Sequence, residues 1–467
     1  MTSTDTTIAA PDRSPPAEPV TTSTPSLKTR ALHGSMWTAF NFASSQGLRL
    51  GSNLILTRLL VPEAFGTVLL INVVIQGLHM FSDTGIGPSI IHNKRGDDAA
   101  FLNTAWTIQV FRGCALWLVC LLLAWPLAMF YEDAVLMWLL PVAGLTALAD
   151  GFVSTGPCTF HRHLRLGRLT AYELSGQFTT IGVTIVLATL WPTVWALVLG
   201  PVIGAAVRLL LSHSIFREIR NRFRWDRDAA RHFVRFGRWI FISTALTFVV
   251  TQGDKLILGK IFVGEHKDLL GLYAIAFFLS SAVVLALRKF ASMLLLPLYA
   301  RLAEGSEHSF RRNMFRIRVL LMGAAIPALC VLVIWGQPLV ELLYTDQYAH
   351  VGWMLRILAA GNIFAAVTLT CASVLLAVGD SFRYMIYLLA QAILLLGGMA
   401  AGALFGPLMM GWPSEVGLVI GVAAAPALGY PILVWAVRRH GAWMPWLDLA
   451  VLVGSGVVIG TGLLLSN

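Results

Sequence analysis

Long apolar runs separated by short polar connections constrain this chain more than any other feature of its sequence. A hydrocarbon core about 30 Å thick is crossed by roughly 20 apolar helical residues, and backbone groups in lipid must be satisfied within the helix. The candidate spans lie at residues 35–60, 66–91, 105–130, 134–155, 171–191, 193–213, 236–262, 269–297, 317–337, 352–377, 383–405, 414–437 and 446–465. The sequence therefore predicts an all-α polytopic membrane protein with about 12 to 14 transmembrane helices.

The composition and the connections exclude several classes of function. Hydrophobic residues make up 57% of the chain and charged residues only 12%, whereas an ordinary soluble domain is about 25% charged. The formal net charge of +10 does not indicate a nucleic-acid partner, because bases between apolar runs report membrane topology. The connections are too short for a soluble catalytic or nucleotide-binding domain, so we expect no enzyme, no catalytic residues, no cofactor and no metal site.

Lys and Arg residues determine the expected orientation. With the N-terminus in the cytoplasm, most of the 34 Lys and Arg residues fall on the cytoplasmic side, as the positive-inside rule requires. The most basic connection is predicted to be a cytoplasmic linker at residues 217–235. Residues 1–27 are rich in Ser, Thr and Pro and are predicted to be a disordered cytoplasmic tail.

A motif at the end of the first span recurs about two hundred residues later. LTRLLVPEAFG at Leu56–Gly66 is matched, with a longer turn, by LGKIFVGEHKDLLG at Leu258–Gly271. A shorter echo joins Tyr131-Glu132-Asp133 to Tyr344-Thr345-Asp346. Such repeats are the usual construction of secondary transporters. We therefore expect two pseudo-symmetric six-helix bundles, with an additional transmembrane segment after them, at 28–216, 236–437 and 438–467 respectively.

Polar residues within the predicted spans are the strongest indication of function. The first span carries polar residues every four positions, on one helical face, at Asn41, Ser45, Arg49 and Asn53. Similar stripes in the second, seventh and eighth spans contain Asn72, Gln76, His79 and Asp83; Thr244, Thr247, Thr251 and Asp254, followed by Lys255; and Ser281, Arg288 and Ser292, with Lys289 adjacent. The first two helices of each predicted half are thus polar-faced.

Three of these residues are bases near the middle of the membrane: Arg49, Arg288 and Lys289. A charge at that depth costs about 2.5–3.5 kcal/mol on insertion scales, so each base should face protein or a water-filled cavity. A cavity with fixed guanidinium groups suits a multiply charged anion, because Arg binds phosphate oxygens bidentately. Ser and Thr of the stripes are also explained by simple helix packing.

Charge pairing within the protein is the alternative to such a cavity. The acidic candidates for pairing with these bases are Asp83, Asp150 and Asp254. Three other arginines lie closer to span ends, where their side chains can reach the interface, and we assign no role to Arg112, Arg208 and Arg356.

The chain resembles the polysaccharide transporter branch of the multidrug, oligosaccharidyl-lipid and polysaccharide exporter superfamily, which contains the O-antigen and exopolysaccharide flippases. The resemblance covers residues 28–437 and is strongest in four stretches. These are LTRLLVPEAFG at Leu56–Gly66, FSDTGIGPSIIHNKRG at Phe81–Gly96, TFHRHLRLGRLTAYELSGQ at Thr159–Gln177 and TQGDKLILGKIFVGE at Thr251–Glu265. The family has twelve or fourteen spans, whereas thirteen are counted here.

The resemblance implies a transporter of the bacterial inner membrane whose halves face each other across a central cavity with alternating access. Its cargo would be an oligosaccharide on a polyprenyl diphosphate, flipped from the cytoplasmic to the outer leaflet for exopolysaccharide, O-antigen or capsule synthesis. Arg49, Arg288 and Lys289 would neutralise the diphosphate. The polar residues expected to bind sugars or diphosphate with them are Asn41, Ser45, Asn53, Asn72 and Gln76.

The remaining charged candidates would couple an ion or pair with the bases: Asp83, Asp150, Asp254 and Lys255. Membrane lipids and the polysaccharide polymerase or export machinery are the other expected partners. Two alternatives stay open. A cation-coupled multidrug antiporter of the same superfamily would use the intramembrane carboxylates, and an integral membrane polymerase or ligase would need a larger aqueous loop than this chain offers.

Overall fold

The computed structural model describes residues 27–262, 266–302, 307–411, 413–441 and 443–466. Within these residues the chain forms α-helices and one 3₁₀ turn, at Asp346–Tyr348, and contains no β-strand, which confirms the all-α prediction. The helices are α1 (Leu27–Leu59), α2 (Pro62–Phe81), α3 (Ile86–His92), α4 (Ala99–Phe130), α5 (Leu136–Phe152), α6 (Gly156–Arg162), α7 (Leu166–Leu190), α8 (Val194–Ile215), α9 (Arg227–Ile261), α10 (Lys267–Leu302), α11 (Glu307–Leu343), α12 (Val351–Val378), α13 (Ser381–Met410), α14 (Ser414–Arg438) and α15 (Pro445–Ser466).

Ten of the described helices are long and apolar enough to cross a membrane: α2, α4, α7, α8 and α10 to α15. The bent pair α5 and α6, which meet at 55°, would add one more. The other two long helices, α1 and α9, carry polar stripes, and these lower their hydropathy below that of a simple apolar span. The structure is that of a multi-pass integral membrane protein.

The predicted second span, 66–91, is wrong beyond Phe81, because α2 ends there. The Asp83 carboxylate accepts a hydrogen bond from the Gly85 backbone N–H at 2.9 Å, which closes a local turn. Gly85 has a φ of +65°, a conformation that glycine adopts without steric cost. The chain therefore turns before continuing as the short helix α3.

Helix pairings repeat between the two predicted halves. In the first half α1 packs on α7, α2 and α4 pack on α5, and α8 packs on α5 and α7. The equivalent pairings in the second half are α9 on α13, α10 and α11 on α12, and α14 on α12 and α13. The limits 28–216 and 236–437 stay a prediction, which these matched pairings support. Helix α15, within the predicted segment 438–467, packs on α11 and α12.

The predicted tail and linker are only partly comparable with the structure. The tail, 1–27, lies outside the described residues except for Leu27. Residues 227–235 of the predicted linker are helical, because α9 begins at Arg227. The Asp226 carboxylate caps this helix by accepting hydrogen bonds from the backbone N–H groups of Asp228 and Ala229, at 2.9 and 3.4 Å.

The repeated motif closes one end of the molecule. Its two final glycines, Gly66 on α2 and Gly271 on α10, face each other across the boundary between the halves. A Cβ atom on Gly66 would lie 3.0 Å from the Gly271 nitrogen, and one on Gly271 would lie 1.8 Å from the Pro62 carbonyl oxygen. At the same end, the Tyr348 hydroxyl donates to the Leu60 carbonyl oxygen at 2.6 Å. Only residues without side chains allow the helix backbones to approach this closely.

Candidate functional site

A cavity of about 660 Å³ lies within the first half of the chain. Helices α1, α2, α5, α7 and α8 form its walls, and the volume is in the range of small-molecule binding sites. The polar residues that line it are Ser45, Arg49, Asn72, His79, Thr146, Asp150, Glu173, Gln177, Thr180 and Arg208.

The polar stripe of α1 divides between this cavity and the contacts of α1 with other helices. Ser45 and Arg49 line the cavity, as predicted for a shared helical face. Asn41 instead donates a hydrogen bond to the Glu173 carboxylate on α7. Asn53 accepts one from the Tyr344 hydroxyl at 2.7 Å, so its side chain joins α1 to the end of α11.

Arg49 is an arginine of this cavity whose charge is not paired with an acid of the described residues. Its side chain is exposed to the cavity and makes no hydrogen bond or ion pair with any residue in the described part of the chain. A guanidinium group that lines a cavity without a protein acceptor can bind an anion without first breaking an ion pair.

Arg208 was expected to reach the membrane interface and was assigned no role, but the structure places it on the wall of the first cavity. The Arg208 guanidinium lies 3.1 Å from the Asp150 carboxylate. The Arg208 side chain is 40% exposed and the Asp150 side chain 39% exposed. The Arg208 stem crosses α7 at Gly176, where a Cβ atom would lie 2.3 Å from the Arg208 Cγ. The absence of a side chain at Gly176 is therefore what admits Arg208 to the cavity.

A second cavity, of about 510 Å³, lies mainly within the second half. Its walls come from α9, α10, α12, α13 and α14, together with α2. Its polar lining residues are Gln76, Thr247, Thr251, Gln252, Asp254, Lys255, Ser280, Ser281, Arg288, Asn362 and Gln391. Arg288 is exposed and, among the described residues, has no ion pair or hydrogen bond, like Arg49 in the first cavity.

Asp254 and Lys255 form a buried charged group beside the second cavity. The Tyr273 hydroxyl donates to Asp254 Oδ2 at 2.5 Å, and Lys255 Nζ lies 3.5 Å from Asp254 Oδ1. Lys255 Nζ also donates to the Thr251 carbonyl oxygen at 2.7 Å and lies 3.9 Å from the centre of the Phe277 ring. Both charges are compensated within the protein, which is the arrangement expected for buried ions.

Helix α2 separates the two cavities. Asn72 and His79 face the first cavity, while Gln76 faces the second. Like Asn41 and Asn53, two further predicted residues line neither cavity. Lys289 is exposed but lines neither of these cavities, and Asp83 holds the turn after α2.

Two amides of the second cavity were also not predicted, because neither belongs to a regularly spaced stripe of polar residues. Asn362 donates to the Ser280 carbonyl oxygen at 2.9 Å. Gln391 is 6% exposed, and its Nε2 has no hydrogen-bond acceptor among the residues that the structure describes. A buried amide without a partner on a cavity wall is available to a ligand.

Comparison with known proteins gives a consistent result. The model of a family described as "Polysaccharide biosynthesis protein" matches residues 55–352. The succinoglycan biosynthesis transport protein ExoT of Rhizobium meliloti is 22% identical over 404 residues, 86% of this chain and 79% of ExoT. An uncharacterized membrane protein in the cps region of Klebsiella pneumoniae is 20% identical over 359 residues, 75% of this chain and 72% of that protein.

Among solved structures, the lipid II flippase MurJ in an inward closed conformation is similar to this chain. The TM-score is 0.69 at 13% sequence identity, with 92% of each chain covered. At this identity the likeness concerns the fold.

Proposed function

Because the chain belongs to the polysaccharide biosynthesis protein family, we propose that it flips a lipid-linked polysaccharide repeat unit from the cytoplasmic to the outer leaflet. The proposal rests on two bases, Arg49 and Arg288, that line the cavities on either side of α2 and have no ion pair or hydrogen bond among the residues that the structure describes. The names of the relatives agree with it, since ExoT is called a succinoglycan biosynthesis transport protein and MurJ a lipid II flippase.

The diphosphate of the cargo is the group that these bases would hold. Guanidinium groups donate paired hydrogen bonds to phosphate oxygens, and such charge-assisted bonds are stronger where water is excluded. Arg49 would bind from the first half and Arg288 from the second, so the cargo charge would contact both halves. Lys289, exposed next to Arg288, would attract the diphosphate from the membrane surface.

The neutral polar residues would bind the sugars. Ser45 and Asn72 line the first cavity and Gln76 the second, so hydroxyl groups could be held on both sides of α2. The polyprenyl tail would stay in lipid, and it would pass between α1 and α10 when the contact of Phe42 with Phe290, whose ring centres lie 6.1 Å apart, opens. Asn41 and Asn53 would act indirectly, by positioning α1.

Energy coupling falls to one of three carboxylates. Asp150 is the best placed for exchange with a proton or cation, because it lines the first cavity and is held there by Arg208. Asp254 would serve charge compensation with Lys255, and Asp83 would hold the turn.

The location and partners follow from the same proposal. The chain would lie in the bacterial inner membrane with its N-terminus in the cytoplasm, as the distribution of Lys and Arg predicts. It would act as a transporter that makes and breaks no covalent bond, and the polymerase and export machinery would consume the flipped unit.

The test is the leaflet distribution of lipid-linked oligosaccharide in cells depleted of the protein. Complete units are extracted after treating intact cells with a reagent that does not cross the inner membrane. We expect complete units to accumulate in the protected cytoplasmic leaflet and surface polymer to be lost. Complete units that reach the outer leaflet normally would overturn the proposal. Missing polymer would then favour a polymerase or ligase, and normal polymer a multidrug antiporter.

A further inference from the structure

The segment between α8 and α9 is fixed to the first half of the protein rather than loosely tethered. Residues 219–226 form no helix, yet the backbone N–H groups of Arg222 and Arg224 donate to Asn103 Oδ1 and Thr107 Oγ1 on α4, at 2.9 and 3.1 Å. The backbone N–H of Asp226 donates to Thr104 Oγ1, also on α4, at 3.0 Å. Alternate residues of the segment are therefore held along one helix.

The start of the segment is held equally firmly. The Asn221 side chain accepts hydrogen bonds from the Ser154 hydroxyl at 2.9 Å and from the Thr155 backbone N–H at 3.1 Å. It also donates to the Thr155 hydroxyl at 2.8 Å. These contacts join the segment to the bend between α5 and α6, so its side chains project from a defined surface.

That surface carries bases without protein acceptors. Glu218 lies 3.5 Å from Arg165 and 3.3 Å from Arg168, and Asp226 lies 2.7 Å from Arg95. These two acids therefore form ion pairs with arginines outside the segment. Five exposed arginines, four in the segment and one at the start of α9, have side chains that form no ion pair or hydrogen bond with the described residues: Arg217, Arg220, Arg222, Arg224 and Arg227. No ion pair within the described part of the chain compensates their charge.

Aromatic side chains alternate with these bases. Phe223 is 65% exposed and Trp225 is 58% exposed, although the Phe223 ring also touches Trp106 at 4.8 Å between ring centres. The segment runs beside the first turns of α4, which is one of the membrane-spanning helices. Exposed Trp and Phe beside Arg, at the end of a transmembrane helix, are typical of the headgroup layer of a bilayer.

We infer that residues 217–227 form a docking surface for the headgroups of anionic phospholipids in the leaflet that this end of the protein faces. The arginines bind the phosphates, and Phe223 and Trp225 occupy the boundary with the acyl chains. The unpaired arginines and the position of the segment beside the first turns of α4 favour a lipid surface. An acidic protein partner would not require the exposed Phe223 and Trp225 side chains. The inference is independent of the proposed cargo.

The test compares two charge-matched variants of the full-length protein in detergent. Arg222→Gln/Arg224→Gln removes two free guanidinium groups, and Arg165→Gln/Arg168→Gln removes two that already contact Glu218. Native mass spectrometry measures binding of dioleoyl-phosphatidylglycerol and of dioleoyl-phosphatidylcholine to each. We expect the first variant to lose affinity for phosphatidylglycerol by about tenfold or more, with phosphatidylcholine unchanged, because each base near an anionic surface contributes to binding.

The control variant should keep nearly wild-type affinity for phosphatidylglycerol, and both variants should unfold at the same temperature because the substituted side chains are exposed. In the wild type, binding should weaken with added salt, and this dependence should be smaller in Arg222→Gln/Arg224→Gln. Equal losses in the two variants would show a general effect of charge and would overturn the inference. No loss in either would also overturn it and would leave an acidic protein as the partner to examine.

Discussion

Replacing Gly271 by Ala should weaken the closed end of the protein. The added Cβ would lie 1.8 Å from the Pro62 carbonyl oxygen and 2.5 Å from its carbonyl carbon, both backbone atoms of α2. The closest ordinary carbon to oxygen contacts are about 3.3 Å, so α2 and α10 must separate locally by roughly 1.5 Å. Overpacking of this kind costs about 1–3 kcal/mol. In a conformation in which α2 and α10 have separated, the added methyl group costs nothing. The ratio of the conformation with α2 and α10 in contact to the separated one should therefore fall by roughly 5- to 150-fold.

The matched control is Gly182→Ala on α7, where an added Cβ meets nothing within 4 Å. Both substitutions gain helix propensity of about 1 kcal/mol, so the difference between them isolates the contact with α2. The assay is the labelling rate of a single cysteine introduced at Leu60, which is 2% exposed in the turn beside the crossing, by a maleimide that does not cross the membrane. Gly271→Ala should raise this rate and lower transport, and Gly182→Ala should change neither.

Labelling and transport at wild-type levels in Gly271→Ala would refute the reasoning. It would mean that α2 and α10 do not need to approach this closely in any state that limits transport. Loss of both variants from the membrane would instead reflect folding, so each is compared at matched expression.

Three further results are expected. Arg49→Ala should weaken cargo binding by roughly 10- to 100-fold in a binding titration, because it removes a charge-assisted contact, while Arg58→Ala at the end of the same helix should not. In the wild type the fully buried Arg318 guanidinium lies 2.5 Å from the Asp448 carboxylate. Asp448→Asn leaves this buried charge unpaired and should lower the free energy of unfolding by about 3–5 kcal/mol, measured by thermal unfolding. Adding Arg318→Met to the same chain removes the charge and should restore most of the lost stability. Arg95 lies 2.8 Å from the Asp98 carboxylate and 2.7 Å from the Asp226 carboxylate, and its hydrogen bonds lower the pKa of both. The stabilising effect of these two carboxylates is therefore present above the ordinary Asp pKa and is lost as the pH falls through the lowered value. The difference in Tm between wild type and Arg95→Gln should therefore shrink below about pH 4.

The fold followed largely from the sequence because apolar length and periodicity are local properties. The membrane helices could be located from hydropathy, and the turn motif ending at Gly66 and Gly271 revealed the repeat. That the two glycines contact each other was not predictable, because the packing of distant helices is not encoded in any local pattern. The break at Asp83 and Gly85 was missed for a different reason. Its signal is present in the sequence as the turn-forming residues Ser82-Asp83-Thr84-Gly85, but the predicted span was continued through them.

The candidate site was only partly predictable. Regular spacing on one helix face identified Arg49 and Arg288, and the structure places both on cavity walls. Arg208 was set aside because it lies near the end of its predicted span, and Gln391 was overlooked because it belongs to no polar stripe. The division of the polar residues into two cavities depends on the position of α2 between the halves, which only the assembled structure supplies.

The central claim is translocation of the lipid-linked unit by this chain alone. It is tested most directly in proteoliposomes that contain the purified protein and a fluorescent polyprenyl-diphosphate oligosaccharide, by following the fraction of cargo accessible to an external quencher. The protein should move cargo between leaflets faster than protein-free vesicles, and Arg49→Ala should abolish most of that rate. Rates equal to those of protein-free vesicles, with the protein folded and inserted, would contradict the account.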